Sequence, residues 1–86
     1  MRLREDFIFQ ELDGDTFLVP LGHDTFKGMV RCNKTARTVL ELLQEETTEA
    51  ELTERYAKLY GLSAEAAEED VRFVLGKFRS VGALEE

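Results

Sequence analysis

Cysteine, histidine, proline and basic charge are all scarce in this chain. Its 86 residues hold one Cys, one His and one Pro, and 11 Lys or Arg stand against 18 Asp or Glu. The lone Cys32 excludes an internal disulfide and is compatible with a reducing cytoplasm. One Cys and one His fall short of the four N or S ligands of a structural zinc site. No apolar run approaches the ~20 residues that span a membrane. The charged start, Met1-Arg-Leu-Arg-Glu-Asp6, lacks the pattern of a signal peptide. A cytoplasmic location is therefore expected, with no membrane partner. A net charge of −7 disfavours nucleic acid and anionic surfaces, which need clustered Lys and Arg; a local basic patch stays open.

No catalytic constellation emerges. His23 reads as a solvated turn residue in a Gly- and Asp-rich loop. Cys32 reads as a small apolar core residue, whereas a nucleophilic thiol would have to be exposed and activated. The six glycines are scattered at expected turns and helix ends, so no loop cradles phosphate. The many carboxylates follow helix surfaces and caps. An enzyme acting alone is not expected, nor is a cofactor or metal.

What is present is a folded pattern. With 43% apolar residues, the chain is expected to form one domain, residues 1–86, around one small core. Residues 7–12 read as a strand whose buried face stays open between Phe7/Phe9 and Ile8/Leu12. Asp13-Gly-Asp15 signals a tight hairpin, and Thr16 to Leu21 is the returning strand, with Pro20 expected near its end. Gly22 to Lys27 is a looser connection. Gly28 to Cys32 is a third strand, with Val30 and Cys32 inward and Met29 and Arg31 outward. At Asn33 the hydrophobic period changes from two to that of a helix. Ala36, Val39, Leu40 and Leu43 fall on one stripe, and Asn33 suits the N-cap. This predicts a first helix from about Lys34 to Glu45.

Thr48-Glu-Ala-Glu51 has the form of a capping box and opens a second helix, striped by Leu52, Tyr56, Leu59 and Tyr60 and ended by Gly61. Ser63 caps a third. Its stripe is Ala67, Val71, Val74, Leu75, Phe78 and Val81, and Gly82 follows as the expected stop. Everything before Asn33 reads as β and everything after it as α. The expected fold is α+β and winged helix-turn-helix-like: a three-stranded antiparallel meander followed by three helices sharing one core.

At Cys32-Asn-Lys-Thr-Ala-Arg-Thr-Val-Leu-Glu-Leu-Leu43 the chain resembles the PqqD-like family. These are the recognition domains of pathways that modify ribosomally made peptides, also called RiPP recognition elements. Asn33, Thr35, Ala36, Val39, Leu42 and Leu43 match its signature. The likeness continues through the Thr48 helix start and ends in Val71-x-x-Val-Leu-x-x-Phe-x-x-x-Gly-Ala-Leu84. Cys32 stands where the family usually has leucine. Pro20-Leu21 replaces a frequent Pro-Glu, and Gln44-Glu-Glu-Thr47 a frequent Asp-Gly.

The resemblance implies a non-catalytic adaptor that binds the leader of a precursor peptide and presents it to a maturation enzyme. That enzyme is most often a radical SAM enzyme, and a protease-dependent pathway such as lasso-peptide maturation is a second setting. The leader would add a strand to the edge of strand three and lie against the third helix. The implied peptide-binding positions are Met29, Val30, Arg31 and Cys32 on the strand, and Asp70, Phe73, Val74 and Lys77 on the helix. A free strand edge is a template for another chain, and strand addition is a known mode of peptide capture.

Plainer readings stand beside these. Phe73 reads equally as a core flank or a groove floor. Arg31 can be an edge-strand gatekeeper, and Lys77 a complement to the helix C-terminus. Gly76, inside a helix, marks a partner's close approach or a weak spot before the helix end. Two other functions compete: a winged-helix DNA-binding regulator, made poor by the acidic Glu65 to Asp70, and a small dimerisation module using the same edge.

Overall fold

A computed structural model of the chain describes residues 1–21 and 30–86. The expected loop Gly22 to Lys27, with His23, and the first two residues of the expected third strand, Gly28 and Met29, lie outside the described residues. In chain order the elements are β1 (Arg2–Leu3), β2 (Phe7–Leu12), β3 (Asp15–Pro20), β4 (Val30–Cys32), α1 (Lys34–Leu42), α2 (Glu49–Tyr60), α3 (Ala64–Ser80) and β5 (Leu84–Glu85). The expected meander is present as an antiparallel sheet in the order β2-β3-β4.

The hairpin follows from its turn. Leu12 pairs with Asp15, so two residues make the loop. Asp13 (φ 53°) and Gly14 (φ 85°) are both left-handed, the backbone that matches the twist of the flanking strands. The open question of which β2 face is buried is answered by register. Phe7 is buried and Phe9 packs against the core, while Ile8 and Leu12 are exposed. On β3, Thr16 and Leu18 turn inward, and Pro20 closes the strand. On β4, Val30 and Cys32 pack inward and Arg31 is exposed, as expected.

The helices are capped as their sequences direct. The side chain of Asn33 accepts from the Ala36 N–H, that of Thr48 from Glu51 and that of Ser63 from Ala66. α3 ends in a paired-carbonyl motif: Gly82 (φ 73°) lets its own N–H reach the Arg79 carbonyl and the Ala83 N–H reach that of Phe78, which satisfies two otherwise orphan acceptors. The core draws on every layer, with Leu18, Val39, Leu40, Leu43, Leu52, Val71, Leu75 and Phe78 wholly enclosed.

Three expectations are corrected. α1 stops at Leu42, not near Glu45, because the carbonyl of Leu43 accepts from the Leu3 N–H at 3.1 Å and the Thr47 N–H donates to Met1 at 2.9 Å. The N-terminal segment thus takes groups that a further helical turn would need. The chain after Asn33 is not all helix: β5 pairs antiparallel with β1, Leu84 opposite Leu3. Leu59 is not on the buried stripe but 63% exposed, and Tyr60 is 37% exposed. Burial on α2 centres on Leu52 and Tyr56, with Thr53 and Ala57 half-buried to one side. Leu59 lies about 20° from Leu52 by angle, on the flank opposite Thr53 and Ala57, but two turns further on, in the last turn of the helix. No helix among the described residues is long and apolar enough to cross a membrane.

Candidate functional site

β4 pairs with β3 and with no other described strand, so it is an edge of the sheet. Facing it is the exposed flank of α3. Between them lies an open groove of about 820 Å³, walled on one side by β4 and the first turn of α1, and on the other by Glu69, Asp70, Phe73, Val74, Lys77 and Phe78. The local sequence explains this shape. The Asn33 cap turns the chain from strand into helix within one residue, so the last strand residue and the first helical turn share one rim.

The rim charges differ in how they are committed. Arg31 pairs with Asp15 across the strands at 3.0 Å, and Arg37 reaches Glu11 at 2.6 Å and Glu41 at 3.4 Å. The Lys77 ammonium instead lies 4.9 Å from the centre of the Phe73 ring, a cation–π arrangement. Beneath the rim, the phenol of Tyr56, 2% exposed, reaches Asp70 Oδ2 at 3.2 Å and Thr35 Oγ1 at 3.4 Å. One phenol proton cannot serve both, so the carboxylate takes it and the threonine hydroxyl donates in return. Tyr60, with its ring 4.9 Å from that of Tyr56, repeats the pattern one turn on, its hydroxyl 2.6 Å from Thr38 Oγ1. Burial pushes the Tyr56 phenol above its ordinary pKa. Burial likewise raises the Cys32 thiol, against weaker opposing effects of a backbone hydrogen bond at Leu18 and the charge of Lys77. Cys32 is 7% exposed at the groove floor.

Seven of the eight positions named from sequence line this one groove: Val30, Arg31, Cys32, Asp70, Phe73, Val74 and Lys77. Met29 lies outside the described residues. Phe73 is not a core flank; it is 66% exposed and forms part of the groove wall. Gly76 is not among the groove residues. The groove also takes in Lys34, Thr35 and Glu69, and rests on Tyr56, none of them expected as site residues. Thr35 sits in the Asn33-x-Thr-Ala motif, and Tyr56 on the second helix's apolar stripe. Both carry a signal in the sequence, Thr35 as a match to the family signature and Tyr56 as core, and neither marks a groove residue on its own.

A meander edge beside a helical wall defines a small α+β domain whose β4, among the described residues, pairs on one side only. The chain belongs to the coenzyme PQQ synthesis protein D (PqqD) family, whose model matches residues 12–84. No curated protein sequence matches it. Among solved structures, the chain is similar to TbiB1 in complex with the TbiA(beta) leader peptide, at a TM-score of 0.78 and 18% identity, over 99% of this chain and 95% of that one. At that identity the likeness bears on the fold.

Proposed function

We propose that residues 1–86 act as a single, non-catalytic peptide-recognition domain. It captures the leader of a ribosomally made precursor by strand addition to β4 and presents the precursor to a maturation enzyme, in the first place a radical SAM enzyme. The observation that carries this reading is the groove between the β4 edge and α3 in a member of the PqqD family. An added strand gains backbone hydrogen bonds from the edge, and its alternate side chains fall toward Val74, Phe73 and Cys32. The solved structure of similar fold contains a leader peptide, which supports the same use here. Tethering a leader raises the effective concentration of the attached core peptide at the enzyme, with no chemistry required of the adaptor. The buried, protonated thiol of Cys32 suits a cytoplasmic setting.

The test is an amide NMR titration of the labelled protein with leaders encoded by short reading frames beside its gene. Shifts concentrated on residues 28–33 and 70–78 are expected. A groove silent to every such leader, while the protein stays folded, would overturn the reading.

A further inference from the structure

We infer that Asp70 receives a positive charge from the groove's occupant: the captured segment carries an Arg or Lys side chain that settles on this carboxylate, with an apolar side chain beside it on Phe73 and Val74. This rests on the peptide-capture reading above and adds to it the chemistry of the peptide.

The groove's charged residues differ in what already holds them. Arg31 and Arg37 are occupied by Asp15, Glu11 and Glu41. The Lys77 ammonium lies over the Phe73 ring. Among the described residues Lys34, Glu69 and Asp70 have no ion-pair partner, and all three line the groove. Of these, the Asp70 side chain is the one that a hydrogen bond fixes in place.

Tyr56 makes that difference. Its phenol, 2% exposed, donates to Asp70 Oδ2 at 3.2 Å, and its ring is held in the core beside Tyr60. Oδ1 has no protein partner among the described residues. A carboxylate offers about four acceptor positions, so most of them stay open after the phenol has taken one. The rotamer of Asp70 is already restricted, so a cation that lands there orders less of the protein than one that lands on the unheld Glu69. A hydrogen bond from an ionised donor to a carboxylate is among the stronger ones. Tyr56 is thus the positioning residue for the contact, and Asp70 the residue that makes it.

Spacing along α3 adds the apolar neighbour. From Glu69 to Phe78 the wall follows the helix for about 13.5 Å, so an extended segment in the groove lies along α3. Phe73 and Val74 are three and four residues beyond Asp70, about 5–6 Å away between Cβ atoms. On an extended segment, side chains two positions apart share a face and stand about 7 Å from each other. A cation on Asp70 therefore brings the residue two positions along the segment onto Phe73 and Val74, and this holds for either direction of the captured chain.

The experiment titrates three blocked synthetic heptapeptides into the labelled full chain at low salt: Thr-Leu-Thr-Arg-Thr-Leu-Thr and the same sequence with Gln or Glu at its centre. Each reads the same from both ends, so the result is independent of strand direction. The Arg peptide is expected to shift the groove resonances and to bind about three-fold more tightly than the Gln peptide and about ten-fold more tightly than the Glu peptide, as an exposed charge contact made or reversed would give. A net charge of −7 attracts any cation, so two variants with the same charge change separate the site from that field. Asp70→Asn, whose amide oxygen can still accept from Tyr56, should bring the Arg-to-Gln ratio close to one. Glu45→Gln, at an exposed position outside the groove, should leave the ratio unchanged. Tyr56→Phe, which alters no charge, should lower it. Equal affinities for the three peptides, the same ratio in Asp70→Asn as in Glu45→Gln, or no groove shift with any peptide would overturn the inference; an unchanged ratio in Tyr56→Phe would overturn the positioning role. If a natural leader still shifts the groove when the peptides fail, capture stands and the cation site falls. If the leader is silent too, the capture reading falls with it.

Discussion

Tyr56→Phe removes one oxygen atom and little else, which makes it a sharp probe of how the groove is built. The ring keeps its place beside Tyr60 and its burial, so no cavity term arises. What disappears is the hydrogen bond to Asp70 Oδ2 and the contact with Thr35 Oγ1. A hydrogen bond to a charged group contributes about 1.5–3 kcal/mol. Because Asp70 is exposed and regains water, the lower end applies, about 1.5 kcal/mol. In a domain of this size that lowers Tm by about 6–12 °C. Urea unfolding followed by circular dichroism measures it directly. The same substitution in an Asp70→Ala background should cost clearly less, because the partner is already gone. An equal cost in both backgrounds would refute the assignment of the stability to this bond. The pH dependence has a definite sign. Burial first of all raises the folded phenol pKa. Its contribution is therefore complete below the unfolded value of about 10 and is lost as pH rises through the higher folded value. Tyr56→Phe should flatten that alkaline limb.

Two further outcomes are expected. Gly76 sits mid-helix with nothing within 4 Å of an added Cβ, so Gly76→Ala should raise stability by about 0.5–1 kcal/mol in urea unfolding and leave peptide affinity unchanged; a destabilised variant would mean that the glycine serves a contact. Cys32, enclosed and with its thiol pKa raised by burial, should react with iodoacetamide at neutral pH at least about ten times more slowly than an unfolded cysteine, and denaturant should abolish the protection. Alkylation as fast as in the unfolded chain would contradict the packing of β4.

The elements with strong local signals were legible in the sequence. Asp13-Gly14 could only be a tight turn, Asn33, Thr48 and Ser63 each cap the helix they announce, and the α3 stripe is buried residue for residue from Ala67 to Phe78. What could not be read depended on partners far away in the chain. β1 and β5 are two residues each, too short to carry any period, and exist because the tertiary fold brings Leu3 and Leu84 together. The end of α1 is set by the same distant segment. Both faces of β2 are apolar, so alternation alone could not choose between them until β3 and β4 supplied the register. The groove followed the same rule. Residues that point outward from a single element, such as Arg31, Phe73 and Lys77, were nameable from strand and helix geometry. Tyr56 was not, since its role comes from its hydroxyl meeting a residue of each of the two other helices.

The two walls of the groove come from segments about 40 residues apart, and a groove that seats an extended segment must hold those walls at a fixed distance. Part of that constraint comes from the enclosed core, and part from the first few residues. Leu3 donates to the Leu43 carbonyl at the end of α1, and Arg4 donates to the Ala83 carbonyl just past the end of α3 at 2.8 Å. One short segment thus holds the C-terminal ends of both helices that contribute to the groove. At the other end Tyr56 ties Thr35 on α1 to Asp70 on α3 through α2. With α1 and α3 tied to each other at these two levels, the distance from the β4 edge to the α3 wall is held in the absence of a ligand. The ordering entropy of a captured segment is then borne mostly by the peptide, because a wall free to shift by a few ångströms would have to be ordered as well.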